Sequence, residues 1–158
     1  MKVVVISDTH GKNKEIIDAI MSMEKPDMLI HLGDYTKDAK EISNILGIPI
    51  TIVRGNCDFG FEYNNSELIE LNGKKLFLTH GHIYDVKFTL DKLYHKALEM
   101  GADIALFGHT HMPMNIEYGD ILISNPGSPS MPHGGSRAKT FGLIEIGEQV
   151  SAEILTIP

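Results

Sequence analysis

Val3-Val4-Val5-Ile6-Ser7-Asp8-Thr9-His10-Gly11 is the stretch that decides the fold. Four branched apolar residues run without a break into an acid, a hydroxyl, a histidine and a glycine. An apolar run with no alternation reads as a strand buried on both faces, as in parallel α/β sheets. The polar tail then falls at the strand's carboxyl end, where open α/β sheets place their ligands. Asp8 and His10 are two residues apart, so along a strand end they share a side. A carboxylate and an imidazole on one side begin a divalent metal site. Taken alone, the stretch is equally compatible with Asp8 capping a helix and His10 sitting in an ordinary loop. Recurrence of the same layout decides against that.

Outward from Gly11, Asn13 stands where a helix cap is expected. Ile16, Ile17, Ile20, Met21 and Met23 follow with helical spacing, and Lys25-Pro26 closes the helix. A second strand over 28–32 delivers Gly33-Asp34, and a helix over 37–46 stops at Gly47. A third strand over 49–53 delivers Arg54-Gly55-Asn56-Cys57-Asp58. These strand–helix alternations predict an α/β protein with a parallel core and right-handed crossovers. From Phe59 the pattern changes. Residues 67–71 and 74–79 read as a hairpin around Asn72-Gly73, running into His80-Gly81-His82. A helix over 87–100 presents Leu90, Leu93, Tyr94, Ala97 and Leu98 on its apolar face. A buried strand over 103–107 ends in Gly108-His109-Thr110-His111. Further strands are expected over 115–118, 121–124, 141–146 and 150–157. The intervening loop over 125–139 is rich in Gly, Pro and Ser, and a loop that long in a compact domain is expected to be functional.

The bulk numbers agree. The 158 residues fit a single domain over 1–158, long enough to bury roughly 68–70% of the unfolded surface. A net charge of −7 with no basic face weighs against a nucleic-acid partner. An acidic protein that handles phosphates needs cations to reverse its local field. Cys57 is the only cysteine, which suits a reducing, cytoplasmic setting. No apolar run approaches the ~18 residues of a membrane span, and Asp8 interrupts the first one too early for a signal peptide.

Five strand ends thus carry Asp8/His10, Asp34, Asn56, His80 and His109/His111, each beside or one residue from a glycine. They are expected to line one sheet edge. Mixed imidazole and carboxylate donors suit Mn, Fe, Ni, Co or Zn more than Ca. In this order, Asp-x-His, Gly-Asp, Gly-Asn-x-Asp, a glycine-flanked His and Gly-His-x-His resemble the calcineurin-like metallophosphoesterases. The chain's size and Gly55-Asn56-Cys57-Asp58 are similar to the small YfcE-like phosphodiesterases. The resemblance implies a four-layer α-β-β-α sandwich with two divalent transition-metal ions, manganese foremost and nickel, cobalt, iron or zinc as alternatives. It implies that Asp8, His10 and His111 hold one ion, that Asn56, His80 and His109 hold the other, and that Asp34 bridges them. Two cations held about 3.5–4 Å apart need a shared anion on chemical grounds as well. Asp34 and Asn56 are also expected to serve catalysis, with a metal-bridging hydroxide attacking a small phosphodiester. Cys57 departs from the family's third block, which usually has histidine there. A thiol is a weak donor and does not replace a cationic imidazole.

Asp58 is expected either to orient a neighbouring ligand or to form a turn, and His31 to be a satisfied core histidine. His82 is a candidate for contact with the site or substrate, and His95 is expected on the surface. Arg54 and Arg137 are candidates to grip a phosphate. Asn125-Pro126-Gly127-Ser128 resembles a late block of the family that shapes the pocket wall. Phe59 and Phe61 are expected to pack in the core by default, or else to line the pocket. The leading expectation is a metal-dependent phosphodiesterase acting on a small phosphate ester, with a homo-oligomer open. The alternatives are a non-catalytic interaction scaffold, as in the similar small retromer subunit, and a nuclease, which the acidic balance disfavours.

Overall fold

The unbroken apolar run is β1 (Lys2–Ile6), and it lies at the centre of a five-stranded sheet. The computed structural model describes residues 1–158. β1 pairs in parallel with β2 (Met28–His31), which pairs in parallel with β3 (Ile50–Ile52). Helices α1 (Lys14–Met21) and α2 (Thr36–Leu46) make the two crossovers. A second sheet is ordered β4-β5-β6-β8-β7. Its strands are β4 (Ser66–Leu71), β5 (Lys74–Thr79), β6 (Ile104–Leu106), β7 (Met114–Tyr118) and β8 (Ile121–Asn125). The helix α3 (Asp91–Glu99) connects β5 to β6. The chain then returns to the first sheet, where β9 (Thr140–Ile146) pairs antiparallel with β1 and β10 (Val150–Thr156) forms the edge.

The two sheets face each other. Val3 and Val5 meet Leu76, Leu78, Ile104 and Leu106 in a layer between them. Val4 and Ile6 point the other way, into Ile16, Ile17 and Ile20 of α1 and Ile42 of α2. On the far side, Phe77, Ala105 and Phe107 pack against Leu93 and Ala97 of α3. Side chains alternate along a strand, so successive residues of β1 enter two different apolar layers. That is why its sequence shows no alternation. The result is the α-β-β-α sandwich.

Several local expectations are corrected. The five donor-bearing ends do not share one sheet: those of β1, β2 and β3 belong to the first and those of β5 and β6 to the second. The last helix is shorter than 87–100, and a separate 3-10 turn occupies His82–Tyr84. Met21 and Leu98, assigned to apolar helix faces, are exposed. Asn13 occupies the N-cap position of α1, but its side chain makes no cap bond and instead donates to Glu41. Phe59 and Phe61 do not pack in the core: they are 98% and 95% exposed. No helix is long and apolar enough to cross a membrane.

Candidate metal centre

The donor-bearing loops of both sheets converge at one end of the sandwich. Asp8, His10, Asp34 and His111 offer ligand atoms that all lie within 4.8 Å of one another. On the other flank of Asp34, His80 Nε2 lies 3.4 Å from Asp34 Oδ1 and 3.1 Å from Asn56 Oδ1. The rings of His80 and His109 are 5.0 Å apart. All seven expected donors are therefore brought together, with Asp34 between the two groups.

Hydrogen bonding fixes which atoms face inward. His80 Nδ1 donates to the Leu32 carbonyl at 2.7 Å, and His111 Nδ1 donates to the Met131 carbonyl at 2.7 Å. A neutral ring with its proton at Nδ1 presents a lone pair at Nε2. That lone pair faces Asn56 Oδ1 in His80 and Asp8 Oδ1, 3.1 Å away, in His111. Acceptors that face each other need positive charge between them, a proton or a metal ion. Asp8 Oδ1 and His10 Nε2 are buried without a hydrogen-bond partner. Unpaired buried polar atoms are costly, and two in one cluster of metal-ligand chemistry fit divalent cations.

The carboxylate of Asp8 is fully buried, which works to raise its pKa. When a proton rather than a metal ion lies between them, a hydrogen bond from His111 Nε2, together with His80 and the Ser7 hydroxyl, outweighs burial and holds it at about 2. Burial and the neighbouring His80 push His109 down to about 4. Burial lowers His111 too, but Asp8 raises it further, and the net shift is upward. Cys57 is exposed, yet partial desolvation and the Asp34 carboxylate push its thiol up to about 11. As a thiol it is a weak hydrogen-bond donor and carries no positive charge.

The loops that carry the donors are strained. Asp8 (φ 57°), His10 (φ 48°), Asp34 (φ 60°), His109 (φ 67°) and His111 (φ 57°) all occupy the left-handed region. Such conformations are uncommon outside glycine and persist only where the surroundings hold them. Several braces do so. Asp58 accepts from the amides of Asp34, Thr36 and Gly55 at 2.8–2.9 Å, so it orients the bridging residue. Ser128 and Ser130 both donate to the Asp8 carbonyl, at 2.8 and 3.2 Å. Asn125 donates to the Gly108 carbonyl at 2.9 Å. The segment from Asn125 to Ser128 is thus a buried buttress beneath the site, not a pocket wall. Close approach also decides two glycines. A Cβ on Gly55 would lie 2.1 Å from Asp34 Oδ1, and one on Gly108 would lie 2.0 Å from Ser7 Oγ.

The remaining candidates divide clearly. His31 is fully buried and bonded to Thr9 and Gly33, a satisfied core histidine. His95 is exposed. His82 lies beside His80 with ring centroids 5.4 Å apart, and its buried Nδ1 has no partner. Arg54 does not present its guanidinium to the site: it bonds Asn65 and the Gly60 carbonyl and lies over Phe61. Arg137 is exposed in the long loop. Sequence reasoning missed Asp38, which accepts from the Gly11 amide at 2.7 Å, and His133, which stacks on His111 with centroids 4.5 Å apart. Neither carries a motif; an acid in the first turn of α2 was the only signal for Asp38.

Comparison with known proteins agrees with this geometry. Residues 1–149 match the model of the calcineurin-like phosphoesterase superfamily domain. Probable metallophosphoesterase YsnB of Bacillus subtilis is 35% identical over 84% of this chain and 77% of its own length. Phosphodiesterase YfcE of Escherichia coli is 28% identical over 92% of this chain and 88% of its own. A Streptococcus pneumoniae structure described as a predicted phosphoesterase aligns with a TM-score of 0.85 at 33% identity, covering 98% of this chain and 88% of that one. In fold alone, the Vps29 of Entamoeba histolytica complexed with zinc is also similar, with a TM-score of 0.82 at 22% identity over the whole of both chains. Strand ends that gather acids and imidazoles around one carboxylate, on two facing sheets, are therefore those of a member of the calcineurin-like phosphoesterase superfamily.

Proposed function

We propose that this chain, acting as a single domain in the cytoplasm, is a two-metal phosphodiesterase for small phosphate esters. Asp8, His10 and His111 would hold one ion, Asn56, His80 and His109 the other, and Asp34 both. Manganese is the first candidate. Bound divalent ions supply Lewis-acid charge to phosphoryl oxygens and acidify water. The chain's own part is positioning. Asp34 is held from behind by the Cys57 amide at 2.9 Å, and Asp58 fixes its backbone. His80 and His111 are locked in the tautomer that turns Nε2 inward. Charge stabilisation and alignment carry most of the catalysis in phosphoryl transfer. A diester suits the site better than a monoester, because a monoester brings extra negative charge to a protein of net charge −7.

The observation that carries this proposal is the set of unpaired or mutually facing polar atoms around Asp34. The similarity to phosphodiesterase YfcE supports it. A scaffold is the alternative that the likeness to Vps29 brings with it. Every one of the seven donor positions holds a residue competent to ligate a metal, and that completeness favours hydrolysis. Elemental analysis of protein loaded with manganese should find two ions per chain, and the loaded protein should hydrolyse bis(4-nitrophenyl) phosphate. One ion or none, or no hydrolysis at full loading, would refute the proposal.

A further inference from the structure

Phe59 and Phe61 stand almost fully in solvent, and Tyr35 is 42% exposed. All three lie within a few residues of the proposed donors. Tyr35 directly follows Asp34, and its ring meets the edge of His10 at 5.0 Å. Phe59 is three residues beyond Asn56, a span of at most about 10 Å. The loop that carries Tyr35 and the loop that carries Phe59 are stitched together. Asp58 bonds the amides on either side of Tyr35, and the Cys57 amide bonds the Asp34 carboxylate. The loop between the two phenylalanines is also braced. Arg54 bonds the carbonyl of Gly60, between the two phenylalanines, and lies 5.6 Å from the Phe61 ring. Further on, Lys40 of α2 pairs with Glu62 and lies over Tyr63.

Burying a phenylalanine is ordinarily favourable, and a braced loop that keeps two exposed forgoes that gain. A protein partner or a second copy seated on these rings would cover the mouth of the site. The ester group of a substrate would rest there during turnover and leave with the product. We propose that Tyr35, Phe59 and Phe61 form an aromatic rim that selects phosphodiesters carrying a flat aromatic ester group. This deepens the proposed function and rests on it. It concerns the group beside the phosphate, not the ease with which the leaving group departs.

The test compares O-benzyl and O-methyl S-methyl phosphorothioates, which share one non-aromatic leaving group, with thiol release followed in manganese-loaded protein. Wild type should prefer the benzyl ester by about tenfold or more in kcat/KM, carried mainly in KM, as expected for stacking on aromatic side chains. Phe59→Ala/Phe61→Ala should bring the two esters within about twofold. Calorimetric binding of methyl(2-phenylethyl)phosphinate and ethyl(methyl)phosphinate, which have P–C bonds in place of both ester bonds and so are not cleaved, should show the same preference without turnover. Equal affinities in wild type, or a preference that survives the double substitution, would overturn the aromatic rim. Preserved binding preference with no cleavage of either ester would leave the rim standing and refute the hydrolase.

Discussion

Acidification from about pH 7.5 to about pH 5 is expected to cost the fold about 2 kcal/mol through His31 alone. His31 is fully buried at the end of β2. Its Nδ1 accepts the Gly33 amide at 3.1 Å, and its Nε2 lies 3.2 Å from the Thr9 hydroxyl. A second proton would land on Nδ1, against an N–H. Burial lowers the pKa from 6.5 to about 4, and Asp58, Asp8 and Asp38 recover only part of the shift. Between those two values the unfolded chain takes up a proton that the folded chain refuses. The contribution is therefore complete above the unfolded value and is lost as pH falls toward the folded one. Over the chosen interval the difference amounts to about 1.5 pKa steps of ~1.36 kcal/mol each. Asp8 acts elsewhere: its depressed pKa gives stability that is lost only as pH falls from 3.8 toward about 2. His82, His109 and His111 also titrate differently in the folded state, so the comparison must be with a variant. His31→Asn keeps an oxygen for the Gly33 amide and gains no proton. Urea unfolding followed by circular dichroism, with chelator present so that metal release does not contribute, gives both stabilities at both pH values. The variant should lose about 2 kcal/mol less than wild type on acidification. Equal losses in the two proteins would refute the assignment.

Removing the shared anion by Asp34→Ala should lower affinity for at least one metal ion and reduce phosphodiester hydrolysis by several orders of magnitude, whereas His95→Ala should do neither; metal titration and initial rates check both. Ser128→Ala removes a buried hydroxyl that donates to the Asp8 carbonyl and accepts from the Met131 amide. It should cost about 1–3 kcal/mol in urea unfolding, because buried polar groups lose their partner. Wild type should cleave an activated aryl phosphodiester much faster than an alkyl phosphomonoester, since Cys57 provides no good proton donor to an alkoxide. Cys57→His should narrow that gap in kcat/KM, toward the ~10²–10⁴-fold that a general acid contributes.

The elements nearest the site were the most legible in the sequence, for a physical reason. Val3 to Ile6 are buried whichever way they point, so composition alone marks the strand. The donors are legible because acids, imidazoles and an amide recur beside glycine, and Gly55 and Gly108 prove to sit where a Cβ would strike Asp34 or Ser7. What local pattern does not carry is the partner of each strand. β1 pairs with β2 about 25 residues away but also with β9, whose register matches Lys2 to Glu145. Periodicity is identical for either choice, so the division of donors between two sheets stayed hidden. Loops are harder still. Phe59 and Phe61 look like core residues by composition, and only the structure, in which Arg54 braces their loop, shows that they lie outside. The left-handed backbone at Asp8, His10, Asp34, His109 and His111 leaves no trace in residue type beyond a mild preference of Asp and His for that region. Its support comes from far along the chain, from Asp58 beneath Asp34 and from Ser128 and Ser130 beneath Asp8. The ligand chemistry is thus written in five short blocks, while the geometry that aims it depends on residues up to 122 positions away. A substitution in the 125–130 segment should therefore disturb the site as surely as one in the blocks themselves.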